Sequence, residues 1–174
     1  MVVDLELIHE ARDSKHWISD VRFSADGMTL AVGSNDNCIY LYRAGENNTA
    51  DKADKKNKTS QWASASLTPQ RVLKGHSSYI THLDFTADAR HLQSNCGAYE
   101  LLFWDVPTGK QEKSASEMRD KQWATWTCTL GWPVQGIWPA EADGTDVNAV
   151  DRSSDQSTLV TADDFGRVNL FRYP

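Results

Sequence analysis

The chain has 174 residues, of which 40% are hydrophobic and 10% aromatic, as in a packed globular protein rather than a disordered one. Its formal net charge of -6 argues against a nucleic-acid-binding protein, which needs a basic surface for the phosphates. The three cysteines lie far apart and match no metal-ligand spacing, so we expect free thiols in a reducing compartment. There is no basic leader and no stretch near the roughly 20 apolar residues of a membrane helix, so we expect a cytoplasmic protein without a membrane partner.

The first predicted elements are short strands with alternating or buried apolar residues. Residues 3–11 look like an outer strand that has no blade of its own. Three further strands, separated by turn-forming residues, are predicted over 18–23, 29–33 and 38–42.

A polar segment follows over residues 44–69. It contains a lysine-rich run over 51–58 and hardly an apolar residue, so it cannot bury enough surface to offset its ordering entropy. We predict a disordered loop whose lysines are solvated rather than bound to an acidic partner. An outer strand resumes at Arg71–Lys74.

The strand pattern then repeats. The segment over 17–26 is similar in sequence to residues 79–88, and a weaker copy begins at 147–151. Internal repetition at a long period is typical of repeat architectures. The corresponding strands are predicted over 81–85, 91–94 and 100–104 in the second repeat, and over 148–151, 158–161 and 167–171 in the third.

The connection between the second and third repeats is rich in tryptophan. Residues 121–130 alternate like a strand, and residues 131–139 carry two more tryptophans among turn formers. One interpretation is that these aromatic side chains fill the space between repeats. The alternative is an aromatic anchor for a partner, since tryptophan is favoured at binding hot spots. Under that alternative Trp132 and Trp138, each followed by proline, are the expected exposed pair.

The strands predict an all-β protein built from propeller blades. Three repeats, over about 3–43, 70–106 and 121–173, form an incomplete propeller, since closure typically needs about four to eight blades. Open sheet edges invite pairing with another chain. We therefore expect two chains to join head to tail, with the first strand of one completing the last blade of the other in a closed ring.

Two dipeptides and several longer runs then carry a family resemblance. Gly75-His76, about one repeat before Trp104-Asp105, is the signature of WD-repeat propellers. Most of residues 5–43 and 70–174 resembles the echinoderm microtubule-associated protein-like family, and the closest runs lie over 73–85, 93–105, 123–128, 136–139, 144–150 and 162–171.

The resemblance implies a non-enzymatic, cytoskeletal protein that binds tubulin or microtubules. The alternative is a general WD-repeat scaffold for signalling or ciliary assembly, which binds other proteins without direct tubulin contact. We expect no cofactor, no metal and no nucleic acid.

The resemblance also implies a structural hydrogen-bond network of Ser or Thr, His, Asp and Trp in each blade. In the first repeat Asp36 matches, but Ser14 and Val32 stand in place of His and Ser. The matching positions elsewhere are His76, Ser94 and Trp104 in the second repeat, with Ala98 in place of Asp, and Thr161 and Asp164 in the third. A nucleophile needs an exposed hydroxyl beside an oriented base, and a strand-interior Ser94 does not offer one, so we set a hydrolase aside.

Overall fold

The structure is a computed structural model that describes residues 7–46 and 65–174. Its first sheet is an antiparallel meander of four strands: β1 (Ile18–Phe23), β2 (Thr29–Ser34), β3 (Cys38–Glu46) and β4 (Ala65–Lys74). The second sheet repeats this order with β5 (Ile80–Phe85), β6 (His91–Cys96), β7 (Leu101–Asp105) and β8 (Lys110–Glu112). The third sheet has, within the described ranges, three strands: β9 (Val147–Arg152), β10 (Thr158–Asp163) and β11 (Val168–Arg172). Two short 3-10 helices, Ala115–Met118 and Trp132–Ile137, lie between β8 and β9.

Each sheet is one propeller blade, so the predicted all-β fold of incomplete propeller blades is confirmed. The nine strands predicted within the three repeats are all present. In the part of the chain that the structure describes, no helix is long and apolar enough to cross a membrane.

The same kind of turn joins the first two strands of every blade. A hydroxyl donates at 2.5–2.6 Å to an aspartate two residues later, in three pairs: Ser24 with Asp26, Thr86 with Asp88, and Ser153 with Asp155. Each hydroxyl also accepts a backbone N–H from the start of the second strand at 2.9–3.1 Å. These bonds close the hairpin locally, and the hydroxyl lowers the pKa of all three aspartates.

Two apolar cores lie between neighbouring blades. Gly33 of β2 packs so closely on β5 that an added Cβ would lie 2.6 Å from Cγ2 of Ile80. The first core draws on the first two sheets and contains Ala31, Ile39, Leu41, Leu73, Ile80, Leu83, Phe85, Leu92 and Trp104. The second core joins the second and third sheets through the tryptophan-rich connection and contains Phe103, Met118, Trp123, Trp126, Val134, Ile137, Val147, Val150 and Leu159.

The loop expected over 44–69 is bounded differently in the structure. Strand β3 continues to Glu46 and β4 begins at Ala65, and the two strands stay paired over this length because their backbone groups satisfy each other. The lysine-rich residues 51–58 lie outside the described residues. Of the outer strand expected over 3–11, residues 7–11 are not in a strand, and residues 1–6 also lie outside the described part.

The strand predicted over 121–130 is wrong. The segment makes one isolated bridge, between Trp123 and Thr86, and otherwise runs as an irregular chain. Two of its successive backbone N–H groups, those of Thr127 and Cys128, donate to the carboxylate of Asp84 instead of to a neighbouring strand.

Candidate functional site

The second blade contains a chain of hydrogen bonds through buried side chains. Nε1 of Trp104 donates to Oγ of Ser94 over 2.8 Å, and that oxygen lies 2.6 Å from Nε2 of His76. The other ring nitrogen of His76, Nδ1, lies 3.2 Å from Oε2 of Glu100. The structure therefore brings together three residues that the sequence predicted for this network: His76, Ser94 and Trp104.

The residues at the two ends of this hydrogen-bond series determine which group donates in each bond. An indole N–H only donates, and an ionised carboxylate only accepts. Ser94 therefore donates to Nε2 of His76, and Nδ1–H of His76 donates to Glu100. Burial lowers the pKa of His76, and the nearby Glu100 opposes this shift. The imidazole is therefore neutral near pH 7, as these hydrogen bonds require.

Glu100 is the carboxylate that the sequence pattern placed at the position of Ala98. Besides His76, it accepts the backbone N–H and the hydroxyl of Ser77, each at 2.9 Å, and the thiol of Cys96 at 3.1 Å. The bond from the Ser77 N–H contributes most to lowering its pKa to about 2. A signal was available in the sequence: an acidic residue immediately before β7, two positions after the expected one.

The first blade has a related but weaker arrangement around Asp36. The hydroxyl of Tyr40 donates to Asp36 at 2.6 Å, and Ser14 Oγ lies 3.4 Å from the same carboxylate oxygen. Ser14 also lies 2.7 Å from the hydroxyl of Ser34. Ser34, rather than the aligned Val32, is therefore the hydroxyl partner in this blade.

In the third blade the two predicted residues have separate partners. The hydroxyl of the buried Thr161 lies 3.5 Å from Nδ2 of Asn169. Asp164 is exposed and accepts Nδ2 of Asn148 at 2.6 Å. The second blade thus has the longest of the three networks.

Two side-chain groups bring potential metal ligands together. His76, Cys96 and Glu100 place ligand atoms within 4.8 Å of one another, as do His91, Asp105 and Glu112. In the first group hydrogen bonds engage both ring nitrogens, and burial raises the pKa of the Cys96 thiol, which disfavours the thiolate that a metal needs. In the second, Asp105 pairs with the guanidinium of Arg90 at 2.9 Å. Both groups are therefore better suited to hydrogen bonding than to metal binding.

The tryptophan-rich connection, residues 121–139, is fastened to the second blade by one buried carboxylate. Asp84 is fully buried and accepts the backbone N–H of Thr127 at 3.0 Å and that of Cys128 at 2.8 Å. It also accepts the hydroxyls of Thr125 and Thr127 and the side-chain amide of Gln93. Asp84 thereby fixes the part of the connection between Trp123 and Trp132.

Trp132 and Trp138 are the more exposed tryptophans of the connection, since Trp123 and Trp126 are buried, but both are half-buried against the second core. Nε1 of Trp138 donates to the carbonyl of Thr129 at 2.8 Å. The guanidinium of Arg119 lies 4.9 Å from the ring centroid of Trp132. This packing favours the interpretation that the aromatic residues fill the space between blades, and contact with a partner stays a prediction.

An open pocket of about 600 Å³ lies where the connection meets the third blade. We call it the tryptophan pocket. We define it by three tryptophans and three basic residues that line it: Trp123, Trp126, Trp132, Arg119, Lys121 and Arg152.

Comparisons with known proteins agree with this architecture. The family described as the echinoderm microtubule-associated protein second beta-propeller matches residues 2–174. The chain is 50% identical over 98% of its length to echinoderm microtubule-associated protein-like 2 of Rattus norvegicus, and covers 24% of that protein. It is 47% identical, again over 98% of its length, to the 77 kDa echinoderm microtubule-associated protein of Strongylocentrotus purpuratus, and covers 22% of it. The chain thus spans a quarter or less of these relatives, and it belongs to the echinoderm microtubule-associated protein family, within its second β-propeller.

Proposed function

We propose that the chain is a non-enzymatic binding module that associates with tubulin or microtubules in the cytoskeleton. The observation that carries the proposal is the family match over residues 2–174, together with relatives whose names describe them as microtubule-associated. Rigid blades would present loops and strand edges to the partner. The full burial of Ser94 supports a structural role for its hydroxyl, because no substrate reaches it.

Microtubule co-sedimentation tests the proposal. We expect the chain to pellet with taxol-stabilised microtubules and to remain in the supernatant without them. Failure to pellet at saturating microtubule concentrations, with the melting transition intact, would contradict direct binding. It would favour instead the general WD-repeat scaffold that serves signalling or ciliary assembly.

The half-buried state of Trp132 and Trp138 determines which variants are informative. Replacing both with alanine removes apolar contacts from the second core, so that pair would lower the melting temperature as well as any binding. Substitutions of exposed charged residues around the tryptophan pocket leave the core intact and are the better probes of a binding surface.

A further inference from the structure

We propose that the tryptophan pocket binds an acidic peptide, with a glutamate or aspartate side chain seated between the guanidinium groups of Arg119 and Arg152. The inference rests on the proposed function of the chain as a protein-binding module, and it names the chemistry of the partner. Concave sites of about 300–1,000 Å³ that combine aromatic walls with a few polar groups are the usual form of a binding pocket, and this one has about 600 Å³.

The charge of the pocket is opposite to that of the whole chain. Arg119, Lys121 and Arg152 line it together with one acidic residue, Asp120, whereas the chain carries a net charge of -6. Within residues 7–46 and 65–174 none of these three cations forms a salt bridge. A local positive site on an acidic protein favours a negatively charged ligand through electrostatic complementarity.

The aromatic walls hold the two guanidinium groups in place. Cζ of Arg152 lies 3.8 Å from the ring centroid of Trp126, and Cζ of Arg119 lies 4.9 Å from that of Trp132. Tyr173 packs edge-on against Trp126 with centroids 4.8 Å apart. Stacking uses the flat face of a guanidinium and leaves the N–H groups at its edge for hydrogen bonds. Nη1 of Arg152 donates to Oε1 of Gln156 at 3.3 Å, and its other N–H groups can still donate to a carboxylate.

Unpartnered indole N–H groups add to this preference. Nε1 of Trp123, Trp126 and Trp132 is buried and has no hydrogen-bond partner among the residues that the structure describes, and all three tryptophans line the pocket. By contrast, the indoles of Trp104 and Trp138 donate to Ser94 and to Thr129. An indole nitrogen can only donate, so an oxygen of the ligand that reached one of these groups would satisfy it.

A peptide carboxylate fits these groups better than a phosphate does. Sites for phosphate commonly use consecutive backbone N–H groups at a helix N-terminus or a glycine-rich loop, whereas the donors here are side chains. Gln122, Gln135 and Gln156 also line the pocket and offer amides that can bond to the main chain of an extended peptide.

Titration of the folded chain with an oligoglutamate peptide tests the inference, with an oligoglutamine peptide of the same length as the ligand control. We expect oligoglutamate alone to bind, with an affinity that falls as salt is added. The indole N–H resonances of Trp123, Trp126 and Trp132 should shift in a ¹H–¹⁵N spectrum, while those of Trp104 and Trp138 stay in place. Replacing Arg119→Gln and Arg152→Gln together should weaken binding about tenfold or more, since each removes a charge-assisted contact.

Arg172→Gln is the matched control variant, because this arginine is exposed in the same blade but does not line the pocket. It should leave the affinity unchanged. Equal binding of both peptides, or full affinity in a folded double variant, would overturn the inference. If the double variant does not fold, the three indole shifts of the unmodified chain decide the question. Microtubule pelleting without oligoglutamate binding would overturn the pocket assignment and leave the proposed function standing.

Discussion

Glu100 illustrates how much of the site is decided by single residues. The resemblance located His76, Ser94 and Trp104 from their positions in the repeat, but placed the carboxylate at residue 98, where the chain has alanine. The longer glutamate side chain reaches the imidazole from position 100, immediately before β7. The acidic residue was visible in the sequence, but a fixed offset within the repeat does not identify it, because the contact depends on the reach of the side chain.

The low pKa of Glu100 predicts a stability that depends on pH. Hydrogen bonds, led by that from the Ser77 N–H, lower its pKa from 4.5 to about 2 in the folded state, so the ionised form stabilises the fold above pH 4.5. We expect this contribution to be lost as the pH falls from 4.5 towards 2. His76 acts in the same direction. Because burial lowers its pKa in the folded state, the unfolded chain takes up this proton first, and stability falls as the pH drops below the ordinary value of about 6.5.

Urea unfolding at a series of pH values measures this effect. Glu100→Gln should have a lower free energy of unfolding at pH 7 and a flatter dependence between pH 4.5 and 3. Glu141→Gln, an exposed residue outside the network, is the control and should follow the original curve. Identical acid dependence in Glu100→Gln and in the original chain would contradict the role assigned to Glu100.

At the scale of elements, the strands were predictable and the connections were not. Alternating residues, short buried runs and turn residues identified the three repeated strands in each blade. The period of a strand is two residues, and strands such as β6 are buried on both faces. Residues 121–130 alternate in the same way but do not form a strand. Two of their backbone N–H groups donate to Asp84, which lies far away in sequence, and a local pattern cannot reveal such a partner.

The close packing of β2 on β5 predicts an effect for Gly33→Ala. The added Cβ would lie 2.6 Å from Ile80 Cγ2 in the first core, so the two blades would have to separate slightly. We expect a loss of roughly 1–3 kcal/mol in the free energy of unfolding, which is typical of an overpacked core. Thermal and urea unfolding measure it.

Gly136→Ala is the matched control for this substitution. Apart from the adjoining residues, no heavy atom of the described part of the chain lies within 4 Å of the Cβ added there, so the stability of this variant should be nearly unchanged. Equal free energies of unfolding for the two variants would mean that the two blades are not tightly packed at Gly33.

At the scale of the whole molecule, large apolar side chains remain exposed at both ends of the row of blades. Trp17, Val21 and Phe23 are 64%, 56% and 55% exposed at the first blade. At the third blade, Val168 and Leu170 on β11 are each 74% exposed. Exposed apolar residues that cluster in this way are typical of surfaces that pack against another element.

The head-to-tail dimer expected from the sequence stays a prediction, and these surfaces bear on it. We expect light scattering of the isolated chain to give the mass of a dimer at micromolar concentrations. Val168→Lys with Leu170→Lys should give a monomer, because charges on an edge strand oppose pairing. A monomer for the original chain at all concentrations tested would count against the dimer.

The Asp84 carboxylate also decides where the chain can be divided. It ties the connection to the blade that precedes it in sequence, since all the groups that bond to it lie in residues 93–128. A protein cut before residue 121 would keep the second sheet but leave the buried carboxylate of Asp84 without most of its donors. The resulting loss in the free energy of unfolding usually exceeds that from losing an ordinary surface contact. The smallest fragment that folds around the second blade should therefore extend at least through residue 128, beyond the end of its last strand. The boundary between units of this propeller is thus set by a buried carboxylate and not by the last residue of a sheet.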